Sequence, residues 1–298
     1  MRYSIVSPFT GEFLGTLVLI LLGNGVVAAV NLKRSKGEGG GWISITTGWG
    51  IAVFAGVMTA RAWGSLDANL NPAITLSLAI LAGDYSRLPV YVPAQILGAM
   101  AGALLVWLAY LPHWKLTDDA DAKHACFCTA PAVRNYPANF LTECIGTALL
   151  VLLVAALISR LGVPRGMPDG LGPLLVGYIV WGIGLSLGGP TGYAINPARD
   201  FGPRIMHSVL PIAGKRNSDW KIIVRMEHAS SVSLTFPTPI DIHIHVASIA
   251  HACGHHGIGL GAYNRIGNVM VKVVPCAPSH RRSGSQHRSL SSRMADGK

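Results

Sequence analysis

Apolar and polar positions in this chain fall into long blocks. Residues 13–32, 39–60, 88–112 and 170–198 contain no Asp, Glu, Lys or Arg, and residues 135–159 contain Glu143 alone among the charged types. A block of this length crosses roughly 30 Å of hydrocarbon as a helix. The pattern therefore predicts membrane spans at about 10–32, 42–61, 88–111, 139–159 and 170–188. Two further segments are too short to cross. After Asn71, "PAITLSLAILAG" extends only to Gly83, and after Asn196, "PARDFGPRIMHSVL" is about as short. With a rise of about 1.5 Å per residue, helices over 71–82 and 196–208 reach the midplane from one face and stop. Both open on Asn-Pro-Ala, a helix start in which asparagine caps the first turn and proline occupies a position whose N–H is not needed.

The pattern also repeats. "GEFLGTLVLILLG" from Gly11 and "TECIGTALLVLL" from Thr142 share Glu-x-x-Gly-Thr at the mouth of an apolar run, and each is followed at similar distance by its Asn-Pro-Ala. An odd number of spans separates Glu12 from Glu143, so the second copy enters the bilayer inverted, as in transport proteins built from inverted repeats. Irregular backbone at membrane depth, here 65–70 and 189–195, is tolerated where it lines a wet cavity. The expected fold is an all-α membrane protein, an inverted-repeat bundle with two half-helices meeting at the midplane around a pore.

Composition agrees with a membrane protein. Half of the 298 residues are hydrophobic and 13% are charged, with a mean hydropathy of +0.43. The opening "MRYS" and its apolar run have the outline of a cleaved signal peptide, but the length of the run, Glu12 at its mouth and the spans that follow favour a membrane helix. Five cysteines form neither a disulfide framework nor a zinc pattern. The spans hold no nucleophile–base pair and no metal triad. An enzyme, a cofactor, a resident metal and a nucleic-acid partner are not expected.

The two Asn-Pro-Ala copies in matching repeat positions, with Arg199 and Asp200 after the second, resemble the major intrinsic proteins, the aquaporins and glycerol facilitators. The resemblance covers about residues 9–220, and "GLSLGGPTGYAINPARDFGPR" is similar to a glycerol facilitator throughout. It implies a multi-pass cell-membrane channel with the N-terminus inside, assembled as a homotetramer, with glycerol and water as permeants. It also implies pore motifs at Asn71, Pro72, Ala73, Asn196, Pro197 and Ala198, and a selectivity filter at Trp49, Gly184, Tyr193 and Arg199. Glu12 and Glu143 would accept hydrogen bonds from the half-helix loops, and Asp200 follows the motif arginine as in facilitators of the glycerol type.

The chemistry can be argued from the residues. Each half-helix N-terminus carries about half a positive charge, and each asparagine side chain can cap its helix while its amide N–H groups face the lumen. Protons and cations meet a positive potential there. With glycine at 184 the slot is expected to widen, leaving Trp49 and Tyr193 as an apolar corner opposite Arg199. Blander readings are an Arg199 paired structurally with Asp200, a Trp49 that is one more aromatic in a span, and a proton relay through the two glutamates, for which no chain of basic residues exists in the spans. A water-selective aquaporin remains the alternative.

Charge does not support the expected orientation. With the N-terminus inside, the inner segments hold Arg2, Arg87, Arg160 and Arg165, whereas the outer ones hold Lys33, Arg34, Lys36, Lys115, Lys123 and Arg134, against the positive-inside rule. The repeat also requires a sixth span after Trp220, and charges and prolines interrupt the sequence there. Residues 221–298 carry 9 basic and 3 acidic residues. They read as a divergent, His-rich tail, disordered or translated in a shifted frame, in place of the sixth span. Its histidines match no established metal site, so the other alternative is a truncated, non-functional channel with a metal-binding tail.

Overall fold

The computed structural model describes residues 6–159, 162, 166–220 and the backbone of four strands within 232–272. From the first described residue to Val209 every element is a helix: α1 (Pro8–Asn31), α2 (Gly41–Ala62), α3 (Pro72–Ala82), α4 (Leu88–Ala109), α5 (Leu111–Leu116), α6 (Ala120–Ala125), α7 (Tyr136–Ile158), α8 (Leu171–Leu187) and α9 (Pro197–Val209). Four of these, α1, α2, α4 and α7, are long and apolar enough to cross a membrane, and α8 is a shorter apolar helix of 17 residues. The short α5 and α6 lie in the polar connection between α4 and α7, where hydropathy gives no signal.

Local chemistry sets the starts. Ser7, Asn71, Asn135 and Asn196 are extended N-caps whose side-chain oxygens accept first-turn N–H groups, each with a proline just inside the helix. Helix α3 ends on Gly83, whose φ of +66° is a left-handed stop available to glycine at little cost.

Packing follows the repeat. Helix α1 lies between α2 and α4, α2 also packs on α8, and α4 continues onto α3 and α9. Hydrocarbon supplies no hydrophobic drive for helices to associate, so close backbone approach at small residues carries the contact. A Cβ on Gly98 would stand 2.2 Å from the Phe13 carbonyl oxygen, and one on Gly102 would stand 2.5 Å from that of Leu17. Between α2 and α8, Gly50 and Gly177 approach each other in the same way.

The second repeat is less covered. By symmetry α7, α8 and α9 correspond to α1, α2 and α3, and the counterpart of α4 belongs beside α7 and α3. No described helix lies there; strand β2 does. The strands β1 (Val232–Phe236), β2 (Ile242–Val246), β3 (Asn264–Ile266) and β4 (Val269–Lys272) form an antiparallel sheet in the order β2-β1-β4-β3. The rest of 221–298, where the expectation of a disordered or frame-shifted tail falls, lies outside the described residues. The most apolar stretch of α7 is 22% buried against 50% for α1, and Leu141, Ile145 and Leu152 are exposed along it.

If the α1–α4 contact depends on missing side chains, Gly98→Ala should lower stability by about 1–3 kcal/mol, the usual cost of overpacking. Thermal unfolding in detergent checks this. Gly25→Ala, in the same bundle but with nothing within 4 Å of the added Cβ, should leave the transition in place or raise it.

Candidate functional site

The site begins with two buried carboxylates. Oε1 of Glu12 accepts from Ser65 Oγ at 2.6 Å and from the Asn69 N–H at 2.8 Å, and its Oε2 accepts from the Leu70 N–H at 2.8 Å and from Gln95 Nε2 at 2.7 Å. Glu143 accepts from the N–H groups of Ala194 at 3.1 Å and Ile195 at 3.0 Å. A carboxylate taken out of water must be hydrogen-bonded, and loops entering a membrane must have their N–H groups satisfied. Each glutamate meets both requirements. The loops turn to reach them through left-handed non-glycine residues at equivalent places: Ala68 (φ +48°) and Leu70 (+53°) in one, Tyr193 (+38°) and Ile195 (+37°) in the other. Such conformations cost about 1–3 kcal/mol each, and the carboxylates hold them.

The loops deliver the two asparagines to each other. Asn71 Oδ1 accepts from the Ala73 N–H at 2.9 Å, while its Nδ2 donates to the Ile195 carbonyl at 2.9 Å. Asn196 Oδ1 accepts from the N–H groups of Ala198 and Arg199 at 3.0 and 3.2 Å, while its Nδ2 donates to the Leu70 carbonyl at 2.8 Å. Pro72 and Pro197 open the half-helices α3 and α9. Each amide thus caps its own helix and satisfies a carbonyl of the opposite loop. An amide NH₂ has two hydrogens, so one remains for the lumen that both residues line.

Two cavities meet here. The lower, about 410 Å³, opens on the face where α1 begins and contains Asn71 and Asn196. The upper, about 330 Å³, opens where α2 begins and is lined by Asn31, Trp42, His124 and Thr129, among others. Trp49, Tyr193 and Arg199 line both and form the wall between them. The guanidinium of Arg199 sits 4.1 Å from the Trp49 ring centroid, a cation–π contact. Arg199 Nη1 and the Tyr193 hydroxyl are buried without a hydrogen-bond partner among the described residues.

Gly184 corrects one expectation, because it lines neither cavity. A Cβ there would stand 2.7 Å from Tyr193 Cζ, so the space left by glycine seats the tyrosine ring and is not itself part of the lumen. Asp200 sets aside the blander reading of Arg199. It does not bond Arg199; it accepts from the Thr129 N–H and Oγ1 at 2.8 and 2.7 Å and from Arg204 Nε and Nη2, both at 2.9 Å. Arg204, fully buried, also donates to the Thr129 and Ser218 carbonyls, fastening two connections over the upper cavity. His124, at the rim, has its pKa pushed down to about 4 by burial, then by Arg216 and Arg204, so its imidazole is neutral at physiological pH.

Residues 2–222 match the family described as Major intrinsic protein. The chain is 59% identical over 217 residues to the probable glycerol uptake facilitator protein of Thermotoga maritima, covering 72% of this chain and 89% of that one. It is 49% identical over 219 residues to the glycerol uptake facilitator protein of Bacillus subtilis, covering 72% and 77%. Among solved structures, the aquaglyceroporin from Plasmodium falciparum superposes with a TM-score of 0.64 at 30% identity, over 75% of this chain and 90% of that one.

The bracing of the loops predicts an order of effects. Glu12→Gln turns one acceptor oxygen into a donor facing groups that themselves donate, which leaves buried donors unmet at about 1–3 kcal/mol. Glu143→Gln should cost less, because among the described residues Glu143 accepts fewer bonds than Glu12. Thermal unfolding of the two variants beside the parent checks the order.

Proposed function

The chain belongs to the major intrinsic protein family, and on that footing we propose that it is a passive membrane channel for glycerol and other small uncharged polyols, with water, that excludes protons and ions. The observation that carries this reading is the wall shared by the two cavities. Trp49 and Tyr193 line it with aromatic carbon, and Arg199, stacked on the Trp49 ring, adds an N–H without a partner among the described residues. A linear polyol pairs the same two surfaces, hydroxyls along one edge and C–H along the other. Arg199 donates to the hydroxyls while the aromatic rings cover the carbons.

Past this slot the permeant meets the free N–H groups of Asn71 and Asn196. Two half-helix N-termini, each worth about half a positive charge, face each other there. A cation loses its hydration without compensation, and a water chain that accepts from both amides cannot relay a proton through the centre. Glu12 and Glu143 hold the loops and take no part in proton transfer, and Asp200 acts with Arg204 on the upper rim. A water-selective pore fits less well, because the slot offers more apolar wall than a chain of water molecules uses.

On the same reading the N-terminus is cytoplasmic, the channels assemble as homotetramers, and the chain catalyses no reaction. Residues 221–298 stand in for the sixth span, as a frame shift after Trp220 would produce, and bind no metal. With no described helix in the place of the sixth span beside α7, polar groups of the second half-helix are less well shielded, which lowers flux per molecule relative to a chain with an apolar span restored after residue 220.

Proteoliposomes test the proposal. In an inward glycerol gradient they should shrink and then reswell, without proton current across the membrane. Fast water flux with no glycerol-driven reswelling would assign the chain to the water channels instead. Gly184→His should displace the Tyr193 ring into the slot and depress glycerol flux much more than water flux; equal loss of both would mean that position 184 serves packing alone.

A further inference from the structure

Tyr193 forms part of the constriction, yet little anchors its ring. Its hydroxyl is buried and makes no hydrogen bond among the described residues, so packing alone fixes where the ring stands. One side of that packing is a groove on α8: Cβ atoms on Gly184 and Gly188 would stand 2.7 Å from Tyr193 Cζ and 2.5 Å from its Cδ1. The other side is Trp42, in the first turn of α2. Its ring meets Tyr193 edge-on, with centroids 5.9 Å apart and planes at 80°, the arrangement favoured by aromatic quadrupoles.

Trp42 is itself held. Its Nε1–H donates to the Gly184 carbonyl at 3.1 Å, and its Cζ2 would lie 2.8 Å from a Cβ on Gly188. The indole therefore closes the glycine groove over the tyrosine ring and is tied to the helix that forms the groove. It also lines the upper cavity and is 39% exposed, so a permeant entering from that face passes it before reaching Trp49, Tyr193 and Arg199.

We propose that Trp42 is a specificity-determining residue of this channel: it positions the Tyr193 ring, and so sets the width of the slot opposite Arg199, and its exposed face makes the first apolar contact with the carbon chain of an incoming polyol. This deepens the glycerol-channel reading and rests on it. Truncating Trp42 frees the ring to move along the groove, and the constriction loses its discrimination by length. Indole-to-phenyl replacement keeps an edge against Tyr193 but loses the tether to Gly184.

The test uses the full chain, with 3-fluorotyrosine at position 193 and Trp42, Trp42→Phe and Trp42→Ala compared in proteoliposomes. Permeability is read for glycerol and for xylitol, and the fluorine resonance is read by NMR in detergent. Trp42→Ala should raise the xylitol-to-glycerol ratio by about tenfold, the lower end of what a small change in an apolar pocket delivers, and should shift and broaden the resonance. Trp42→Phe should fall between the parent and Trp42→Ala in both readouts. Ile43→Ala, next in sequence and 69% exposed, should change neither. An unchanged ratio with an unshifted resonance would overturn the proposal. If the parent carried no glycerol at all, the channel reading would fail by itself, and the resonance would still decide whether Trp42 holds Tyr193.

Discussion

Two side-chain amides cross the midplane of this protein and hold its halves together. Asn71 donates to the carbonyl before Asn196, and Asn196 donates to the carbonyl before Asn71. Hydrocarbon does not tolerate unpaired backbone, and the last residue of each loop leaves a carbonyl that its own half-helix cannot satisfy. Each loop is completed by the other's asparagine, so neither half of the pore is complete alone. The remaining features serve this meeting. Glu12 and Glu143 collect the loop N–H groups, left-handed residues turn the chain toward them, and glycine contacts let α1, which carries Glu12, approach α2 and α4 closely.

The two halves are not equally supported. Glu12 receives a hydroxyl from Ser65 and an amide from Gln95 in addition to backbone, and Gln95 belongs to α4, which also covers α3 and α9. Glu143 receives only backbone among the described residues, and the helix that would mirror α4 is not among them. The first repeat is therefore the stiffer template. The second carries Arg199 and Tyr193, which stand in the wall between the two cavities, and part of its support comes instead from the Asp200–Arg204 pair and its grip on Thr129 and Ser218.

Much of this was legible in the sequence because hydrocarbon imposes simple rules. Span length follows from bilayer thickness, and α1, α2, α4, α7 and α8 run along the apolar blocks. The half-helices were legible from their shortness and from Asn-Pro, where cap and proline act locally. What was not legible depends on the tertiary fold. Gly184 was expected to widen the lumen, but a missing side chain can be filled by a neighbour, and Tyr193 fills it. Arg204 carried a signal, its i, i+4 spacing from Asp200, whereas nothing local marked Thr129 as their third partner. Gln95 was the lone amide in an apolar run. Nothing local marked Trp42, whose partners are more than a hundred residues away in the chain. Helices α5 and α6 lie in polar sequence, where no long apolar period exists.

The central claim is that the crossed asparagines work as one unit. A double-mutant cycle of Asn71→Ala and Asn196→Ala, read by thermal unfolding in detergent, tests it most directly. Because each variant breaks the meeting on which the other residue depends, the double variant should cost less than the two single losses together, with a coupling of about 0.5–3 kcal/mol. Losses that add to within about 0.3 kcal/mol would contradict the account, and would mean that the two half-helices are held independently by their own glutamates.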